Sequence, residues 1–170
     1  MPDMDVSFSG INNIKVGRSK QLTKIFGYFP SSTGEVKQGE QVYRDYKLSF
    51  HLVNDAKCAD FDEFLNSMAK SNAGFTTSYF PGEPNKIELF MRRYEVEDDV
   101  IGNFAYALFK INGQDIPLLN REGLALYTKL AELTRRILNM KNVTPAQKEC
   151  VQLFNEGIAQ EAERFIDIML

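Results

Sequence analysis

The sequence predicts an α+β domain: an antiparallel sheet or partial barrel of about five to seven strands carrying one inserted helix, followed by a C-terminal two-helix hairpin. Three observations predict it. Residues 1–119 alternate short apolar runs with Gly, Pro and Asn turns, residues 41–53 alternate apolar and polar side chains, and from Asn120 the apolar period becomes helical and stays so. Strands first and helices afterwards argue against a doubly wound fold. A chain of 170 residues, 44% hydrophobic, can enclose one core without metals or disulfides. It is read as a single domain, mainly β to residue 119 and helical over 120–170.

Taken in order, Val6 to Phe8, Ile14 to Val16 and Ile25 to Phe29 are short β-type runs. They are separated by Gly10-Ile11-Asn12-Asn13, Gly17 and Pro30-Ser31-Ser32-Thr33-Gly34. The clearest strand is Gln41 to Val53. Val42, Tyr46, Leu48, Phe50 and Leu52 point one way, and Tyr43, Asp45, Lys47, Ser49 and His51 the other. Phe61, Phe64, Leu65, Met68 and Ala69 then mark a helix over about 59–72, with Asp60 and Glu63 as a capping box and Gly74 as its stop.

Strands resume at Phe75 to Phe80 and at Lys86 to Tyr94. Val100 to Ile111, apolar on both faces, suits a central strand. Asn112-Gly113-Gln114-Asp115 reads as a hairpin loop into Ile116-Pro117-Leu118, and Pro117 puts that strand at an edge. Leu126, Leu130, Leu133, Ile137 and Met140 form one helical stripe. Val151, Phe154, Ile158, Ala162, Phe165 and Met169 form a second. Between them Thr144, Pro145 and Gln147 supply an N-cap, a first-turn proline and a capping-box partner. The last helix would be roughly 39 Å long, more than the strands it could pack on, so part of the hairpin is expected to project or to meet a partner.

Charge excludes one class of function. The net charge of −3 lacks the basic excess of a dedicated duplex-DNA binder. It is distributed unevenly: +2 over residues 1–57, −5 over 58–118 and zero over 119–170, counted along the chain. The two cysteines, Cys58 and Cys150, fit neither a zinc site nor a disulfide framework. The acidic start, Met1-Pro2-Asp3-Met4-Asp5, is not a signal peptide, and no apolar run is long enough to span a bilayer. A cytoplasmic protein without cofactor or metal is expected.

No catalytic motif emerges. Gly10 and Gly17-Arg18-Ser19 lack the spacing and the lysine of a phosphate loop. Glu35-Val36-Lys37 matches half of a magnesium-nuclease signature, but in a loop where its carboxylate has no stiff support. Glu95, Glu97, Asp98 and Asp99 lack calcium-loop spacing and read as a hydrated connection. His51, the only histidine, faces solvent rather than Cys58 or Cys150. Asn142-Val143-Thr144 forms a glycosylation sequon that the capping role of Thr144 explains.

Three function classes remain. The first is a non-catalytic interaction or assembly protein, self-associating or binding a protein partner through sheet edges and the terminal helix at Phe154, Ile158, Phe165, Ile166 and Met169. The second is a single-stranded nucleic-acid binder using Lys15, Arg18, Lys20, Lys24, Tyr43, Arg44 and Lys47, interleaved with Phe26, Tyr28 and Phe29, where cations would hold phosphates and rings would stack bases, unless those rings are core. The third is an enzyme assembled from distant residues such as Asp45, His51 and Glu88. From Tyr43 to Lys70 a long amphipathic strand, Asn54-Asp55 and a Phe-rich helix together resemble the strand-to-helix passage of phage tail-tube and related secretion-tube subunits. The likeness covers under a sixth of the chain, and the two C-terminal helices depart from that family, which is mostly sheet with one helix. It implies an assembly protein encoded by a phage or mobile element, cytoplasmic or in a virion.

Overall fold

In the computed structural model, residues 10–31, 33–53, 86–98, 102–116 and 121–169 are described, together with Phe61, Glu63, Phe64 and Ser67. Six strands form one antiparallel sheet: β1 (Ile11–Arg18), β2 (Thr23–Pro30), β3 (Val36–Leu52), β4 (Lys86–Asp98), β5 (Gly102–Ile111) and β6 (Gln114–Asp115). Two helices follow, α1 (Arg121–Leu138) and α2 (Pro145–Met169). The fold is α+β with a C-terminal helical hairpin.

The sheet is organised on β3. Its 17 residues pair with β4 along one side, from Val42 opposite Glu95 to His51 opposite Lys86. Along the other side β1 and β2 lie end to end, β1 on Tyr46 to Leu52 and β2 on Val36 to Tyr43. They are one interrupted strand. The interruption at residues 19–22 faces only Arg44 and Asp45, and the Ser19 amide bonds to the Asp45 carbonyl at 3.0 Å. A smaller irregularity between Asn12 and Lys15 carries Asn13 at a φ of 52°.

Strict alternation on β3 places Tyr46, Leu48, Phe50 and Leu52 in the core, as their spacing predicts. Ile87, Leu89 and Met91 of β4 and Phe109 and Ile111 of β5 continue that face. The helices close it with Leu126, Leu130, Leu133 and Ile137 from α1 and Val151, Phe154 and Ile158 from α2. Gly157 marks the closest approach: a Cβ there would stand 3.0 Å from Phe109 Cζ and 3.3 Å from Met91 Sδ.

The junction between the helices has the chemistry read from sequence. The Gln147 amide donates to Thr144 Oγ1 at 3.2 Å, and the Thr144 amide donates to Gln147 Oε1 at 2.9 Å, with Pro145 opening the helix. A polar tie links the two helices. Asn155 Nδ2 donates to Thr134 Oγ1 at 2.9 Å and to the Ala131 carbonyl at 3.0 Å, while the fully buried Thr134 hydroxyl donates to the Leu130 carbonyl. Asn155→Ala strips partners from an enclosed hydroxyl and is expected to cost about 1–2 kcal/mol, read from the denaturation midpoint.

Several expectations need correcting. The last helix is not longer than the strand it packs on: the 17 residues of β3 have a contour of about 55 Å against about 38 Å for α2. The long strand starts at Val36, not Gln41. Asn112-Gly113 alone makes the hairpin turn, both at positive φ (49° and 80°), as a two-residue hairpin requires. Gln114–Asp115, expected as loop, is strand and leaves β5 one place from the described sheet's end, while Pro117 and Leu118 lie outside the described residues. Phe61, Glu63, Phe64 and Ser67 are helical, with Phe61 buried against the core. The rest of the expected inserted helix, and the expected strands at 6–8 and 75–80, lie outside the described residues.

Candidate protein-contact site

Beyond Val42, β3 leaves β4 and continues with β2 alone as a two-stranded ribbon. The ribbon curls. Phe29, opposite Lys37, brings its ring centroid within 5.9 Å of Tyr94, which is opposite Tyr43. Six residues of straight strand would separate those positions by about 20 Å. Gly27 paired with Gly39 allows the bend, because neither puts a side chain on the concave side, and a Cβ on Gly27 would touch the Phe29 ring at 3.5 Å. Phe29, Ser31 and Gln41 are thereby buried at 8%, 5% and 4% exposure.

The convex side is the reverse. Phe26 and Tyr28 are 72% and 71% exposed and Val36 is 67% exposed, with Leu22 nearby at 51%. Phe26 stands opposite Glu40, Tyr28 opposite Gln38 and Pro30 opposite Val36. Lys24 and Glu40 form an ion pair on this face, at 3.5 Å. Among the described residues the outer backbone edge of β2 is also open. The Ser31 amide donates to the Glu35 carbonyl, so by alternation Phe29, Gly27 and Ile25 bond inward to β3. Lys24, Phe26 and Tyr28 therefore turn both N–H and C=O outward, and among the described residues β2 pairs with β3 alone. By contrast, Gln147 Nε2 of α2 covers the β1 edge by donating to the Ile14 carbonyl at 3.3 Å.

The sheet face opposite the helices carries a tyrosine ladder. Tyr43, Tyr94 and Tyr106 are direct cross-strand neighbours, with centroids 5.5 and 4.7 Å apart. Arg92 lies 4.2 Å over the Tyr43 ring and is held by Asp45 through two bonds of 2.8 and 3.0 Å. That carboxylate raises the guanidinium's pKa further, against the cost of burial.

Burial, and secondly the neighbouring Tyr94, push the Tyr106 phenol up to about 12. Its neutral form is favoured in the fold, so its stabilising contribution is full below the ordinary value of 10.0 and is lost as pH rises through about 12. Ultraviolet titration should show a late phenolate that Tyr106→Phe removes, together with part of the alkaline loss of stability.

The structure disperses the basic and aromatic residues read as a nucleic-acid surface. Lys15, opposite Ser49, and Lys47, opposite Gly17, share the tyrosine face with Tyr43. Arg44 points to the other face, opposite Arg93. Lys24 lies on the convex ribbon, Lys20 in the strand interruption, and Arg18 reaches Glu149 of α2 at 4.0 Å. Two rings of the tyrosine ladder are already engaged: Tyr43 carries Arg92, and Tyr94 lies between Tyr106 and Phe29.

Asp45, His51 and Glu88 do not converge. Asp45 and His51 are six residues apart on one strand, about 20 Å, and Asp45 is engaged by Arg92. Of the expected contact residues on the last helix, Phe154 and Ile158 are fully enclosed in the core, because their stripe faces the sheet. The side chains of Phe165, Ile166 and Met169 lie outside the described ones.

A cleft of about 170 Å³ between β1 and the start of α2 is lined by Arg18, Tyr46, Glu149 and Cys150 among others, smaller than usual ligand pockets. Burial pushes the Cys150 thiol up, away from the reactive thiolate. Among the described residues no group of three metal-ligating side chains gathers, and no helix is long and apolar enough to cross a membrane. No family model, curated protein or solved structure matches the chain.

Sequence reasoning grouped Phe26 and Tyr28 with the basic residues as base-stacking rings, and missed Val36 and the convex protein-contact face. The signal was there in Phe26-Gly27-Tyr28 facing Gln38-Gly39-Glu40, where one strand face carries rings and the other carries glycine.

Proposed function

We propose that the protein is a non-catalytic interaction or assembly protein that makes contact through the convex β2–β3 ribbon. One observation carries this reading: two aromatic rings more than 70% exposed sit on a strand whose outer N–H and C=O groups meet no other strand among the described residues. Rings and open edges both favour covering, the rings through apolar burial and the edge through strand addition. The likeness of Tyr43 to Lys70 to tube subunits supports an assembly of phage type, cytoplasmic or in a virion.

The test is site-specific photo-cross-linking in the native cell, with a benzophenone side chain at Phe26 and, as control, at the exposed Thr128 of α1. Adducts from position 26 and none from 128 are expected. No adduct at 26 contradicts the reading.

A single-stranded nucleic-acid role draws support from Lys15 and Lys47 being diagonal neighbours on the tyrosine face. It predicts a log–log salt slope of about −0.7 for each phosphate contacted, and a slope near zero removes it.

A further inference from the structure

We infer that the occupant of the β2 edge is β2 of a second copy, running antiparallel about a two-fold axis at Phe26; this rests on the ribbon being a contact surface. The outward-facing groups decide the register. Lys24, Phe26 and Tyr28 each offer a donor and an acceptor, whereas Pro30 has no N–H. Setting Phe26 opposite its own symmetry mate, and Lys24 opposite Tyr28 of the other copy, completes every hydrogen-bonded pair and leaves Pro30 outside the pairing. Such a contact is isologous: each residue meets a partner that meets it in return, and it closes at two copies.

The side chains agree with this pairing. Lys24, Phe26 and Tyr28 share the convex face, so the axis brings Phe26 against Phe26 and sets each Lys24 ammonium against a tyrosine ring. No like charges meet. Lys24 is balanced by Glu40 within its own ribbon, and residues 25–30 carry no charge, so no charged side chain blocks strand addition at the centre of the pairing. Arg18 and the first turn of α2 stand at the β1 end, where Gln147 already occupies the edge, and this confines the pairing to β2.

The area sets the strength. Four rings, each about 70% exposed, would bury on the order of 500 Å² beyond the backbone, at the low end for protein contacts. A reversible dimer of micromolar affinity is the expected product.

Sedimentation of the full chain from about 10 to about 500 µM, a range bracketing that affinity, reads the mass directly. Wild type should pass from monomer to dimer. Phe26→Pro removes an exposed ring and an outward N–H but no hydrogen bond within the sheet, so it should retain the monomer's spectrum and melting point while staying monomeric. Tyr28→Lys, which sets lysine against Lys24 of the other copy, should weaken the dimer at least tenfold and covers the case in which the proline variant misfolds.

A wild type that stays monomeric throughout, or a dimer that survives both folded variants, overturns the inference. If the chain is monomeric yet position 26 still cross-links to another protein in the cell, the ribbon reading stands and the second copy is excluded. If it is monomeric and position 26 gives no adduct, both fall.

Discussion

Phe154→Ala is expected to cost about 4 kcal/mol, enough to remove much of the stability of a domain this size. Phe154 is 0% exposed and lies on the α2 stripe between Val151 and Ile158, all three enclosed by the sheet and α1. Truncation removes the ring's burial and leaves a void among the helix pair and the strands, which are joined to one another too firmly to collapse into it. A denaturant midpoint shifted by that amount, with an unchanged slope, is the expected result. A change below about 1 kcal/mol would mean that Phe154 stands on a surface, where the terminal-helix stripe had first placed it.

Gly157→Val should destabilise by about 3 kcal/mol through the opposite mechanism. The added Cβ alone would meet Phe109 Cζ at 3.0 Å and Met91 Sδ at 3.3 Å, before either γ-methyl is placed. Both neighbours belong to paired strands, β5 and β4, so relief requires α2 to lift from the sheet. Gly157→Ala separates the two contributions. Alanine gains about 1 kcal/mol of helix propensity over glycine and loses a similar amount to crowding, so a net change near zero is expected. A stabilised valine variant would show that α2 is not seated on Phe109 and Met91 as described.

These effects concern packing, and packing is what the sequence made legible. The apolar faces of Tyr46 to Leu52, of Leu126 to Ile137 and of Val151 to Ile158 are periodic because each element has one side on the core and one off it. The Thr144 cap was legible for a different reason: its hydrogen bonds join residues three apart, so the whole motif is local.

Residues 36–41 were not legible as strand. Val36-Lys37-Gln38-Gly39-Glu40-Gln41 lies past the end of β4 with solvent on its convex side, so nothing imposes alternation, and only pairing with β2 makes it extended. That omission shortened the strand and made α2 seem the longer element.

The sequence left Phe26 and Tyr28 undecided between core and surface for a related reason. An aromatic residue in a strand is ordinarily read as core, and its surroundings are set by where the sheet ends, which depends on contacts distant in sequence. The tyrosine ladder is similar. Tyr43 and Arg44 are adjacent in sequence but lie on opposite faces, so a cluster of basic and aromatic letters was not a cluster in space. Asp45 looked free to do chemistry until Arg92, 47 residues away, was found across the strand pair.

The pairing of the β2 edge is tested most directly by residue-resolved amide exchange at low and high protein concentration. The inward amides of Ile25, Gly27 and Phe29 should exchange slowly at both. The outward amides of Lys24, Phe26 and Tyr28 should exchange at near free-peptide rates in dilute solution and become slow when concentrated, all three together. If those three stay fast at the highest concentration while their inward neighbours stay protected, the edge is unoccupied and its pairing with a second copy is contradicted.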